Sequence, residues 1–155
     1  EVEIEAGVTI YPNTFITGEN TIGKNCKIGP FSHLRGGNKI GNNVRIGNFV
    51  EIKKSEIKDN TNVSHLSYIG DSELGSHVNI GAGTITANYN PITKVKSRTV
   101  IKDNANTGSN SVIVAPVTVE EKGFVAAGTV VTKDVAEGDL ALTRAELKTI
   151  KKYVK

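Results

Sequence analysis

The sequence repeats every six residues, and that period limits the possible folds more than any other feature. Steps of six from Ile4 reach Ile10, Ile16, Ile22, Ile28, Leu34, Ile40, Ile46 and Ile52. All nine positions are Ile or Leu, although these two residues make up only about a seventh of the chain. Four places on in the same register stand Val8, Thr14, Asn20, Cys26, Ser32, Asn38, Val44 and Val50, all small or β-branched. The step slips once to Ile57, resumes at Val63 and Ile69, slips to Leu74 and returns at Ile80. Beyond an interruption it locks in again at Ile101, Thr107, Ile113, Val119, Val125 and Val131. A period of six matches neither a 3.6-residue helix nor an unbroken two-residue alternation.

The period does match a short strand, a corner and another short strand, so that each hexad forms one side of a coil. Three sides close a coil of about eighteen residues, and successive coils pair as parallel strands about 4.8 Å apart. The expected fold is all-β, a triangular solenoid lined by stacked aliphatic side chains. Glycine often follows the aliphatic, as in Ile22-Gly23 and Ile46-Gly47, and is expected to serve the corners, where it adopts unusual dihedrals without a Cβ penalty. Aromatic residues form only 5% of the chain and glycines number 16, in keeping with a narrow interior. One domain is expected over 1–143. It carries an excursion loop at 88–98 (NYNPITKVKSR), and 144–155 reads as a short C-terminal helix or arm.

Composition excludes several classes of function. A net charge of +3 is too small for a nucleic-acid-binding stripe but leaves room for anionic small ligands. No apolar run reaches membrane-spanning length and no signal-peptide pattern opens the chain, so a cytoplasmic, non-membrane protein is expected. The single cysteine, Cys26, excludes a disulfide framework, favours a reducing compartment and sits at a small-residue wall position where it simply packs. No methionine occurs, even at position 1, so a trimmed chain or a domain cut from a longer protein is expected.

Stacking converts spacing into geometry. Arg35 and Lys53 each follow a hexad aliphatic, eighteen residues apart, which sets them one coil apart on one face. Two cations at that separation repel by about 1 to 3 kcal/mol near a surface, and a phosphate between them reverses the sign. Two solvated surface cations are the plain alternative. His65 lies two places after Val63, and Ala82, Ser109 and Ala127 hold the same place after Ile80, Thr107 and Val125. If the excursion loop keeps the faces in phase, these four form a column, a groove floored by small residues with a histidine at one end. That shape suits a thin extended ligand, although a lone histidine is more often structural. His33 and His77 share no register place with His65, so no metal site is expected from the three.

The segments FSHLRGG (31–37), GNFVEIKK (47–54), SHLSYIGD (64–71), NIGAGTITANYN (79–90) and VAPVTV (114–119) closely resemble one family. It is the acetyltransferase, C-terminal domain of the bacterial bifunctional N-acetylglucosamine-1-phosphate uridyltransferase/glucosamine-1-phosphate acetyltransferase. The resemblance runs from about residue 20 to Arg144. It implies a left-handed parallel β-helix, a homotrimer with shared active sites, and acetyl-CoA as co-substrate. It implies acetylation of the amine of glucosamine-1-phosphate, on the way to UDP-N-acetylglucosamine and peptidoglycan. By the same resemblance His65 is the general base, Arg35 and Lys53 grip the sugar phosphate, and Tyr68 and Asn79 contact the sugar. Ala82, Asn88, Tyr89, Ser109, Ala127 and Arg144 line the acetyl-CoA site.

The chemistry is coherent. An amine attacks a thioester only when unprotonated, and histidine is the residue type suited to take the proton near neutral pH. The oxyanion that forms needs a donor, for which a backbone N–H near Ala82 serves. Transfer is direct and needs no metal. Two departures stand out: Gly36 replaces the family's usual proline after the arginine, and the loop after Tyr89 is about two residues longer, leaving Lys94 and Lys96 unassigned. The uridyltransferase domain has no counterpart here. A different amino-sugar phosphate, such as galactosamine-1-phosphate, and a non-catalytic trimeric scaffold are the competing readings.

Overall fold

A computed structural model describes residues 1–154. Its regular elements are strands throughout, from Val2–Ile4 to Leu140–Ala141, with no helix among the described residues. They build three parallel sheets of seven, eight and seven strands, the walls of a prism of about eight coils. The first sheet stacks Ile4, Ile22, Ile40, Ile57, Leu74, Ile101 and Val119 in register. The second stacks Ile10, Ile28, Ile46, Val63, Ile80, Thr107, Val125 and Ala141. In the third, Ile16, Leu34, Ile52 and Ile69 lie in line, and Ile113 sits between Thr86 and Val131. The hexapeptide repeats fit a left-handed β-helix.

The aliphatic columns are the core: Ile28, Leu34, Ile46, Ile52, Val63, Ile69, Leu74, Ile101 and Ile113 are fully buried. The small-residue wall is buried between them, and its polar members bond from coil to coil. The Asn38 side-chain amide donates to Asn20 Oδ1 at 2.7 Å, and Asn38 Oδ1 accepts the Ser55 N–H. Cys26 is buried and free, with its thiol directed at the Gly41 carbonyl, and burial is the main reason its pKa is raised.

Eight glycines, among them Gly7, Gly18, Gly29 and Gly83, take left-handed positions as expected of corners, but they share that role. The other left-handed positions fall on Asn13, Asn25, Asn43, Asn60, Asn104 and Asn110, and on larger residues including Phe31, Phe49, Leu66 and Asp71. Asparagine tolerates this region because its short amide bonds locally. The glycines that follow the aliphatics, Gly29 apart, are not left-handed and serve close approach between coils. A Cβ on Gly81 would stand 2.4 Å from the Gly108 carbonyl carbon, and one on Gly108 would stand 2.3 Å from the Ala127 nitrogen. No side chain fits there, because the next coil lies directly above.

The excursion loop is a small hairpin. Tyr89 and Lys96 pair antiparallel, the Asn90 N–H bonds Val95 O, and the Ser97 N–H bonds Asn88 O. The coil that contains it takes 27 residues from Leu74 to Ile101, yet these two pair in register. The faces therefore remain in phase above it. Beyond Ala141 the chain runs as an arm without regular structure apart from a turn at 151–152, so of the two forms expected for the tail the structure has the arm.

Candidate active site

Three groups of side chains converge on or beside the third face. The first group is cationic. Leu34 pairs with Ile52, so Arg35 and Lys53 project one above the other, and Gly70 stands over Lys53. The Arg35 guanidinium donates to Glu51 Oε1 at 2.8 Å, which holds it in place and raises its pKa. Lys96 reaches the same spot from the hairpin. Its charge is the largest of the influences that pull the Lys53 pKa down, followed by burial and then by Arg35. Three cations thus share a patch with two carboxylates, Glu51 and Asp71, and the patch keeps an unmatched positive charge. An anion seated there relieves the repulsion.

The second group is the corner column. Val63, Ile80, Thr107 and Val125 are neighbours in register, which stacks His65, Ala82, Ser109 and Ala127 two places on. Backbone hydrogen bonds tie the column from coil to coil: Gly83 N–H to His65 O, Asn110 N–H to Ala82 O, and Gly128 N–H to Ser109 O. Below His65 stands Asn48. His65, Ser109 and Ala127 are exposed and Ala82 is half-buried. Among the described residues the N–H groups of Ala82, Ser109 and Ala127 bond to nothing within the chain, so the strip offers donors along its edge.

The third group joins Tyr68 to Asn88. The Asn88 side chain is buried and its Nδ2 donates to Asp71 Oδ2 and lies 3.5 Å from the Tyr68 hydroxyl. Tyr89, the next residue, is exposed at the base of the hairpin.

Two of the expected residues lie apart from the cationic patch within one chain. Asn79 is on the second face, where its N–H bonds Asn106 Oδ1 and where it shares a shallow hollow with Ser109 and Phe124. Arg144 is exposed on the arm. Sequence reasoning did not single out Glu51, Asp71 or Lys96. Glu51 had a readable signal, since it lies sixteen residues after Arg35, one coil up and on the same outward side. Asp71 and Lys96 had none, because their partners are set by the hairpin. Among the described residues no three His, Cys, Asp or Glu side chains cluster in a way that could hold a metal ion, and no helix is long and apolar enough to cross a membrane.

The repeat and the prism together define the class, a hexapeptide-repeat β-solenoid. Residues 21–54 match the bacterial transferase hexapeptide (six repeats), and residues 98–133 match the hexapeptide repeat of succinyl-transferase. Within that class the chain is a relative of the C-terminal region of bifunctional protein GlmU. It is 53% identical over 148 residues to GlmU of Picosynechococcus sp., covering 96% of this chain and 32% of the relative. Against GlmU of Clostridium novyi it is 48% identical over 151 residues, covering 97% and 32%. The chain thus spans about a third of the length of the curated relatives it matches. Its fold is also that of AntD, an N-acyltransferase from Bacillus cereus solved with dTDP-4-amino-4,6-dideoxyglucose and coenzyme A. That structure is 19% identical with a TM-score of 0.63, over 97% of this chain and 84% of AntD.

Proposed function

We propose that the chain transfers an acetyl group from acetyl-CoA to the amine of glucosamine-1-phosphate, giving N-acetylglucosamine-1-phosphate. The observation that carries this reading is the cationic patch of Arg35, Lys53 and Lys96, set on the face that begins at the exposed His65. In glucosamine-1-phosphate the amine is on C2, next to the phosphate-bearing C1, so a phosphate held by that patch keeps the amine beside it, where a base on the same side of the prism can take its proton. The strip of Ala82, Ser109 and Ala127 is flat, narrow and edged with N–H donors, which suits a pantetheine arm. His65 takes the amine proton as nitrogen attacks the thioester carbon, the C–S bond breaks, and coenzyme A leaves as the thiol. An N–H of the strip near Ala82 stabilises the oxyanion. The 48–53% identity to bifunctional GlmU supports the same assignment.

A single prism is open beside the strip, Asn79 lies on the second face and Arg144 on the C-terminal arm, while the cations stand on the third. We therefore assign the complete site to a homotrimer, with Asn79 and Arg144 acting across subunit boundaries and Tyr89 and Asn88 closing the coenzyme groove. Apolar groups left on the surface support this. Phe31 and Phe49 stack at 5.3 Å, and with Leu66 they form a corner ridge that is 49%, 57% and 60% exposed. Contiguous exposed apolar surface of this kind marks an interface.

The decisive experiment measures thiol release from acetyl-CoA with glucosamine-1-phosphate, galactosamine-1-phosphate and glucosamine as acceptors. Activity with the first alone supports the proposal, activity with the second redirects it to another sugar, and silence with all three leaves a scaffold. Arg35→Ala and Lys53→Ala are each expected to raise KM for the sugar phosphate by about tenfold or more, the loss of one charge-assisted contact. Unchanged KM in both variants would remove the cationic patch from substrate binding.

A further inference from the structure

Asp71 is the one carboxylate between the cationic patch and the coenzyme side of the site, and neither role proposed above uses it. Its backbone N–H donates to the Lys53 carbonyl, and its charge favours the ammonium of Lys53. Its Oδ2 accepts from Asn88 Nδ2. The Tyr68 hydroxyl lies 3.5 Å from the same Nδ2, at the long limit for a hydrogen bond, so the bond to Asp71 is what orients the Asn88 amide. That leaves Asn88 Oδ1 as the free end, an acceptor for an N–H of a ligand. The floor beneath is shaped to match: a Cβ on Gly70 would stand 2.4 Å from the Tyr68 hydroxyl oxygen and 2.8 Å from Asn88 Nδ2. Asp71 itself sits in the left-handed region, φ 48°, and its carboxylate meets the Asn88 amide.

We propose that Asp71 is a positioning residue: it locks Asn88 with Oδ1 facing the coenzyme groove, and at the same time tempers the charge of Lys53. The proposal rests on the acetyltransferase reading for what fills the groove, but the lock itself is a property of the chain. Asp71 thereby opposes its two neighbours' demands. Removing it disorders an acceptor for the coenzyme while leaving the cationic patch more positive.

The test is Asp71→Gly, which removes the carboxylate and keeps a residue at ease with φ 48°, alongside Asn88→Ala and the double variant. The expected result is a split. KM for acetyl-CoA rises about three- to tenfold, as for loss of one neutral hydrogen bond, while KM for the sugar phosphate stays level or falls. The double variant should be no worse than Asn88→Ala alone, since Asp71 acts through Asn88. Parallel rises in both KM values, or additive effects in the double variant, would overturn the proposal. The lock has a readout without any ligand: the Asn88 side-chain amide protons, located by ¹⁵N-edited NMR through their loss in Asn88→Ala, are expected to shift upfield in Asp71→Gly. Unmoved resonances would overturn it even on active enzyme. If the parent chain fails to bind acetyl-CoA, the acetyltransferase reading fails, and the amide resonances still judge the lock.

Discussion

At the scale of single residues the proposed chemistry divides between a base and a set of cations. General-base assistance is worth about 10² to 10⁴ in rate. His65→Ala is therefore expected to lower kcat by that order and to leave acetyl-CoA binding nearly intact. Near-parental kcat on folded protein would remove His65 from the mechanism. The cations carry a pH dependence. Lys53 is held below the usual lysine range chiefly by Lys96, so its ammonium loses its proton at lower pH than an isolated lysine does. Affinity for a sugar phosphate is present below that pKa and lost as pH rises through it. Lys96→Gln removes the main cause, and the alkaline rise in KM is expected to move to higher pH. A limb that stays in place would show that Lys96 does not face Lys53 in solution.

The elements here are strands of two to four residues, too short to be stable alone, and each exists only as a rung between its neighbours. Coil spacing is consequently the quantity that most substitutions disturb. Gly108→Ala sets a methyl 2.3 Å from the Ala127 nitrogen, where backbone rather than a mobile side chain must give way. Overpacking of this kind costs about 1 to 3 kcal/mol, and a drop in melting temperature in a thermal scan would register it. The same coil separation sets the pitch of the Ala82–Ser109–Ala127 strip, so acetyl-CoA affinity is expected to fall with stability. Parental stability in Gly108→Ala would show that the coils tolerate a wider gap. The hairpin at 88–98 is the opposite case: it hangs outside the coil, leaves the register unbroken, and delivers Asn88 and Lys96 to the third face.

For the whole molecule the question is what covers the ridge of Phe31, Phe49 and Leu66. All three residues are held in the left-handed region with φ between 51° and 56°, and all three project from one corner. Phe49→Glu combined with Leu66→Glu puts like charges from neighbouring copies together and is expected to convert a trimer to monomers by light scattering. Activity should be lost with it, since Asn79 and Arg144 then have no partner site to complete. A doubly charged variant that stays trimeric would place the interface on another face.

The sequence by itself determined the prism, because a six-residue period repeated over most of the chain has one geometric solution, and every slip of the period reappears as a shortened coil. It also determined the stacking of Arg35 on Lys53 and of His65 under Ala82, Ser109 and Ala127, since residues one coil apart are neighbours by register alone. The tertiary structure decided what register does not encode. It showed that glycines divide between close contact of coils and left-handed corners, which they share with asparagines and larger residues, a distinction invisible in composition. It brought Lys96 to Lys53 and Asn88 to Asp71 through a hairpin outside the repeat. And it set Asn79 and Arg144 apart from the cations. Side chains that hang from an irregular segment are placed by packing in three dimensions, which no periodicity in one dimension specifies.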